Sequence, residues 1–221
     1  MSSNLDHEVY DFIRALTGSP HAKMSFNTFD DKKYPKSLVI TEKERKEKAI
    51  RRKILTRVFH GPVKNYLQDL IRLNKKGAGV FATINETDGT GVADKNIITL
   101  RAAVLDMEEE PQITPPLAPS IVLRSKRGPH YWWLLNQGEP LEIFRTLQVS
   151  IAHYFGGDLS IKDLSRVMRV PGFLHQKQPD KPHLVTIESI NPVRYSSWEL
   201  LQAFPVHYPI KRGINDSIRK S

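Results

Sequence analysis

The segment 101–112, RAAVLDMEEEPQ, joins an apolar run to a concentration of negative charge. Four of the five residues from Asp106 to Glu110 are acidic, although the chain has 33 lysines and arginines against 24 acidic residues and a formal charge of +9. The apolar run predicts a buried strand that ends near Asp106. A basic protein that gathers acidic residues at the end of a buried strand needs a physical reason for doing so.

Asp106 and Glu108 are two residues apart at this strand end, so their side chains share one face. Two carboxylates on one face repel each other unless a cation lies between them, and their hard oxygen atoms suit Mg²⁺ or Mn²⁺. Glu109 and Glu110 precede Pro111 and are more simply solvated loop residues. An ordinary acidic turn after a buried strand is the alternative interpretation.

The segments around this cluster predict an α+β fold. Two pairs of β-rich segments flank it, 79–85 with 96–106 and 120–125 with 130–135. Helices toward both ends with strands between them are typical of an α+β domain. The other predicted elements are strands at 23–31 and 183–189 and helices at 5–16, 41–53, 62–77, 140–157, 160–172 and 196–204.

The domain organisation follows from the same pattern. We expect residues 1–207 to form a single catalytic domain, with an N-terminal helical or αβ part at about 1–78 and a sheet part at about 79–207. The basic residues 208–221 are expected to be a tail or linker.

Composition limits the classes of protein that the chain can be. With 39% hydrophobic residues and no cysteine, it can build a core but has neither disulfides nor thiolate metal ligands. No apolar run approaches the roughly 18 residues that cross a membrane, and the first residues lack a signal-peptide pattern. We therefore expect a cytoplasmic protein without a membrane partner. A pI near 9.7 favours a polyanionic partner, because lysine and arginine displace counterions from phosphates.

A second candidate element is the segment LRSKRGPHYWWLL, which begins at Leu123. Its loop supplies the hydroxyl of Ser125, the cations Lys126 and Arg127 and a flexible glycine, and His130 opens the next strand. Such a loop can hold a phosphate through charge and hydrogen bonds. A basic hairpin turn with a hydrogen-bonded surface histidine is the alternative.

A third candidate element is GGDLSIKDLSRVMRVPGFLHQK, residues 156–177. Asp158 is either a helix cap or a third carboxylate ligand. A Ser-x-x-Asp pattern at residues 160–163 predicts the start of a helix. On such a helix, Arg166 and Arg169 would both face either a polyphosphate or the solvent. The cations that follow Asp158 are Arg166, Arg169, His175 and Lys177.

Together the three elements fit nucleotidyl transfer. Three carboxylates can hold two cations, one of which lowers the pKa of an attacking hydroxyl while the other neutralises the leaving pyrophosphate. The basic residues would hold the triphosphate, and the remaining positive surface would hold the backbone of template and primer.

These motifs resemble those of the archaeo-eukaryotic primase superfamily, most closely the catalytic domains of plasmid and phage RepB-type primase-polymerases. That family has Asp-x-Asp/Glu at a strand end, Ser…His on the next hairpin and a third Asp. Here LDME carries Asp106 and Glu108, SKRGPH carries Ser125 and His130, and GGD carries Asp158. The resemblance covers roughly residues 55–190, although the spacing from serine to histidine exceeds the family's compact form.

The resemblance implies a mixed-sheet catalytic fold with an RNA-recognition-like half and flanking helices. It implies template-directed transfer of nucleotides from nucleoside triphosphates, making or extending primers on single-stranded DNA, in the replication of a plasmid or phage. A replicative helicase is a further expected partner. The implied two-metal site for Mg²⁺ or Mn²⁺ consists of Asp106, Glu108 and Asp158, and the implied phosphate contacts are Ser125, Lys126, His130, Arg169 and Lys177.

Two other functions compete with this one. A non-catalytic, RNA-recognition-like module would stack bases on Tyr131 or Trp133 but leaves the carboxylates unexplained. A metal-dependent nuclease could use the same carboxylates. The basic residues that follow Asp158 would then have no triphosphate to bind. The sequence lacks the His-hydrophobe-His pair of a rolling-circle nickase and the phosphate-binding loop of a P-loop helicase.

Overall fold

A computed structural model describes residues 2–32 and 41–205, and the predicted tail at 208–221 lies outside this range. Five α-helices and thirteen strands form the described part, as the α+β prediction requires. The helices are α1 (Ser2–Thr17), α2 (Glu42–Leu55), α3 (Leu67–Lys75), α4 (Ile143–Phe155) and α5 (Ser197–Ala203). The strands are β1 (Lys23–Asp30), β2 (Arg57–Pro62), β3 (Ala78–Thr83), β4 (Glu86–Thr87), β5 (Ile97–Thr99), β6 (Ala102–Asp106), β7 (Ile121–Arg124), β8 (Pro129–Leu135), β9 (Val167–Arg169), β10 (Leu174–His175), β11 (His183–Leu184), β12 (Thr186–Ile190) and β13 (Arg194–Tyr195).

The first sheet has the order β2-β1-β3-β9, and all its pairs are antiparallel. Phe26 of β1 and Val80 of β3 lie in one buried cluster with apolar residues of α1, such as Phe12 and Leu16. The helical spacing of these apolar residues in α1 explains why the helix covers this face. The first sheet thus combines β1, β2 and β3 with β9 from much later in the chain, and the division near residue 78 stays a prediction.

The second sheet has the order β12-β7-β8-β13, with β6 also paired to β8. It is mixed, because β13 runs parallel to β8 while the other pairs are antiparallel. Strand β8 is buried along its whole length. Trp132 belongs to the cluster shared with the first sheet, and Trp133 belongs to a second cluster with α4 and α5. Successive residues of β8 therefore alternate between the two clusters.

The predicted helix at 160–172 is wrong. The chain runs irregularly from residue 158 to 166, and β9 then pairs with β3, with Phe81 opposite Arg169. Distant side chains satisfy this backbone, because Gln148 donates to the carbonyl of Ile161 and Asn85 donates to that of Leu164. Tertiary hydrogen bonds therefore outweigh the local capping pattern, and the predicted helical face shared by the two arginines does not exist.

None of the helices within residues 2–32 and 41–205 combines the length and apolar character needed to cross a bilayer.

Candidate active site at the ends of strands β6 and β8

Asp106 and His130 face each other at the end of the second sheet. They are register partners in the antiparallel pair of β6 and β8, and His130 Nε2 lies 3.3 Å from Asp106 Oδ1. His130 is buried, while the Asp106 side chain remains 44% exposed. The histidine is therefore fixed by the core, and the carboxylate that it touches can still reach a ligand.

The surroundings of Asp106 favour its charged form. Burial acts to raise its pKa, whereas the hydrogen bond and charge of His130 act to lower it. Positive charge on Arg169 and Arg127 acts in the same direction, and the net result is a pKa below the usual range. Asp106 is consequently an ionised oxygen donor at neutral pH.

The hairpin loop before β8 rests on the chain that follows Asp106. A side chain at Gly128 would collide with the carbonyl oxygen of Met107, and φ is +153° there, so the close approach requires glycine. Arg127 Nη1 reaches Glu108 Oε1 at 2.6 Å. Because β6 and β8 are paired antiparallel, the predicted loop before β8 lies beside the acidic cluster after β6.

Ser125 and Lys126 take different positions within this loop. Ser125 is 9% exposed, and its hydroxyl accepts a weak hydrogen bond from the amide of Arg127 at 3.4 Å. Lys126 Nζ donates to Gln178 Oε1 at 2.7 Å and to the carbonyl of Lys181 at 2.6 Å. The lysine therefore ties the loop to the chain after β10.

The three predicted metal ligands do not form a closed group. Glu108 is 76% exposed and pairs with Arg127. Asp158 accepts hydrogen bonds from the amide and hydroxyl of Ser160, both at 2.8 Å, in a local turn that no helix follows. In the part of the chain that the structure describes, no three side chains of His, Asp or Glu are grouped to hold a metal ion.

Asp158 nevertheless lies close to the strand that carries Asp106. A side chain at the preceding Gly157 would lie 2.6 Å from Leu105 Cδ1, so this glycine touches β6 one residue before its end. Asp106, Glu108 and Asp158 offer carboxylate oxygens, which are the type of ligand that a hard divalent cation prefers. A cation bound there would compete with Arg127 for Glu108 and with Ser160 for Asp158.

Arg169 is held rigidly at the edge of the first sheet. Its guanidinium donates to both carboxylate oxygens of Asp31, at 3.0 and 2.7 Å, and both side chains are nearly buried. It also lies 4.6 Å above the ring of Phe81. The sequence motifs include Arg169 but give no sign of Asp31, since the two are 138 residues apart.

His175, expected from the sequence to be one of the cations after Asp158, also lies in this region. Burial lowers its pKa to about 4, and the positive charge of Arg169 adds to that effect. Asp31 opposes the shift, while Lys177 and Lys126 reinforce it. His175 is 4% exposed, and neither ring nitrogen has a hydrogen-bond partner in the described ranges 2–32 and 41–205. It is therefore a neutral imidazole among cations.

Comparison with known proteins finds similarity in structure only. No protein-family model matches the chain, and no curated protein matches it by sequence. The AEP domain of the cyanophage S-2L primase-polymerase matches with a TM-score of 0.66 and 16% identity over 90% of this chain and 97% of that one. The catalytic domain of the primase RepB′ in complex with initiator DNA matches with a TM-score of 0.62 and 12% identity, over 90% and 92%.

A second RepB′ primase structure matches with a TM-score of 0.61 and 12% identity, over 90% of this chain. This chain spans 61% of that longer one. At such identities the similarity establishes the fold, and the predicted fold with its mixed sheet and flanking helices is confirmed.

Proposed function

On the premise that this chain has the RepB-type fold of the archaeo-eukaryotic primases, we propose that it is a nucleotidyltransferase that makes or extends primers on single-stranded DNA. The observation that carries the proposal is the pair of Asp106 and His130, whose carboxylate is ionised, half-exposed and close to the fixed charge of Arg169. A carboxylate beside fixed cations is the arrangement that a nucleotide with its divalent metal requires.

The acidic residues would hold the metal. Asp106 would be the anchoring ligand, with Glu108 and Asp158 joining it on exchange of their present partners. A bound Mg²⁺ or Mn²⁺ pair would supply Lewis acidity toward the attacking hydroxyl and the leaving pyrophosphate.

The basic residues would hold the triphosphate. Asp31 and Phe81 keep the guanidinium of Arg169 in one orientation, so it can bind phosphate oxygens without first being ordered. The positive charges of Lys126, Lys177 and Arg169 all lower the pKa of the buried His175. These three cations are therefore neighbours. Ser125 and His130 complete the proposed phosphate contacts.

Single-stranded DNA is the proposed template and nucleoside triphosphates are the proposed substrates. The similar RepB′ catalytic domain has been solved with initiator DNA, and the formal charge of +9 suits a polyanion here as well. Replication of a plasmid or phage, together with a replicative helicase, is the proposed setting.

The test is incorporation of labelled nucleotides on single-stranded DNA, with and without an annealed primer, in Mg²⁺ or Mn²⁺. Product without a primer would support a primase, and product with a primer alone would support a polymerase that depends on a partner for initiation. Binding of DNA without product would contradict the proposal in favour of a binding module. A labelled template in the same reaction reports degradation, which would point instead to a nuclease.

A further inference from the structure

Helix α2 presents four exposed cations on one side. Arg45, Lys48, Arg52 and Lys53 occupy positions i, i+3, i+7 and i+8, which share a helical face. We call these four residues the α2 basic face. The three acidic residues of the helix lie in its N-terminal half, whereas the segment from Lys48 to Leu55 contains no acid.

The acids of α2 have local partners of their own. Glu42 pairs with Lys46 within the helix, and Glu47 pairs with Lys32. Glu44 forms the capping box with Thr41. The acids of α2 are thus engaged in its N-terminal half, and every charged residue of the helix after Glu47 is a cation. A helix laced with ion pairs along its whole length would not show this asymmetry.

Two adjoining cavities run along the α2 basic face. One of about 620 Å³ is lined by Arg45, Lys48, Arg52 and Lys53. The other, of about 330 Å³, is lined by Lys48, Arg52 and Phe29 of β1, and also by Asp30, which pairs with Arg51. The two cavities share Lys48 and Arg52 in their linings, and we call them together the groove, which reaches Phe29 near the end of the inner strand β1.

Aromatic side chains connect this groove to the candidate active site. The Phe29 ring is 39% exposed and lies 5.5 Å from the ring of Phe81, measured between centroids. Phe81 in turn lies under the guanidinium of Arg169, whose charge acts on Asp106. An exposed ring therefore stands between the acidic cluster and the α2 basic face.

We propose that this groove binds the template, with its phosphates on the α2 basic face and a base stacked on Phe29. A basic groove interleaved with an exposed aromatic ring is how proteins bind single strands without reading their sequence. The 14 residues of α2 span about 21 Å, which is about the length of six phosphates of one B-form strand at ~3.4 Å each. This inference rests on the proposed function, since it assigns the path of the strand on which that function acts.

The charge component is tested with the double variant Arg45→Ala/Arg52→Ala. Both substitutions retain high helix propensity. The control is Lys64→Ala/Arg145→Ala, which removes the same charge from exposed positions before α3 and on α4. Binding of labelled single-stranded DNA is measured by anisotropy from 50 to 200 mM salt. We expect the slope of log K against log[salt] to shrink by about 1.4 in the test variant, from two lost contacts at ~0.7 each, and not in the control.

The stacking component is tested with Phe29→Leu, which keeps an apolar side chain against Phe81. The control is Trp198→Leu, because Trp198 is 68% exposed on α5, away from the groove. We expect Phe29→Leu to weaken binding about tenfold with the salt slope unchanged, while the control binds as the wild type does. Equal affinity in Phe29→Leu and wild type would overturn the stacking role.

The outcomes separate this inference from the proposed function. If the wild-type protein incorporates nucleotides but the Arg45/Arg52 variant matches its control in affinity and salt slope, the groove does not bind the template. The proposed function is then unaffected. Wild-type protein that neither binds single-stranded DNA nor incorporates nucleotides overturns both. Loss of affinity for a blunt duplex but not for a single strand would contradict the assignment to the template strand.

Discussion

The buried ion pair between Asp31 and Arg169 fixes the guanidinium of the candidate site. Asp31→Asn would leave a buried guanidinium without its counter-charge, and we expect the free energy of unfolding to fall by about 3 kcal/mol. Asp69→Asn is the control, because Asp69 pairs with Arg72 at the surface and its loss should cost at most about 0.5 kcal/mol. Urea denaturation measures both, and equal values would show that the Asp31 pair is not buried in solution.

His175 should make stability depend on pH. Its pKa in the folded protein is about 4, below the ordinary value of 6.5. The unfolded chain therefore takes up a proton first, so the stability from this group is complete above pH 6.5 and is lost as pH falls toward 4. We expect His175→Gln to lose less stability than wild type over that range, by up to about 3 kcal/mol. Urea denaturation at pH 7 and pH 4.5 tests this, and parallel losses in the two proteins would contradict it.

At the scale of the element, the hairpin of β7 and β8 holds its loop against the residues after β6. Gly128→Ala would force a side chain into the Met107 carbonyl. Gly89→Ala is the control, because φ is +79° there but nothing lies within 4 Å of the added carbon. We expect the control to cost about 1 kcal/mol and Gly128→Ala distinctly more, with loss of incorporation. Equal stability and activity of the two variants would show that the loop does not rest on this strand end.

The sequence predicts elements well where local pattern and tertiary contacts agree. The alternation in β8 and the two glycines after α4 identify these elements, and Gly156 adopts the left-handed conformation that ends the helix. The predicted helix at 160–172 failed because Gln148 and Asn85 satisfy that backbone from elsewhere. Strand β2, Arg57–Pro62, was not predicted, since it has no fully buried residue and lacks a clean apolar alternation.

At the scale of the whole molecule, the candidate site lies where residues of the two sheets approach each other. The second sheet supplies Asp106 and His130, which the motifs predict with their residue numbers. The first sheet supplies Arg169 and, through β1, the partner Asp31 that fixes it. No local pattern could predict that partner, because the fold alone brings together two residues 138 positions apart. The predicted roles of Glu108 and Asp158 as metal ligands stay predictions.

The most direct test of the account is the rate of primer extension on single-stranded DNA by Asp106→Asn beside Glu109→Gln. Both variants remove one negative charge from the acidic cluster, but Glu109 is an exposed residue of the loop. We expect Asp106→Asn to lose at least about a hundredfold in rate, with DNA affinity unchanged or slightly higher, and Glu109→Gln to retain the wild-type rate. A wild-type rate in Asp106→Asn would contradict the assignment of this strand end as the active site.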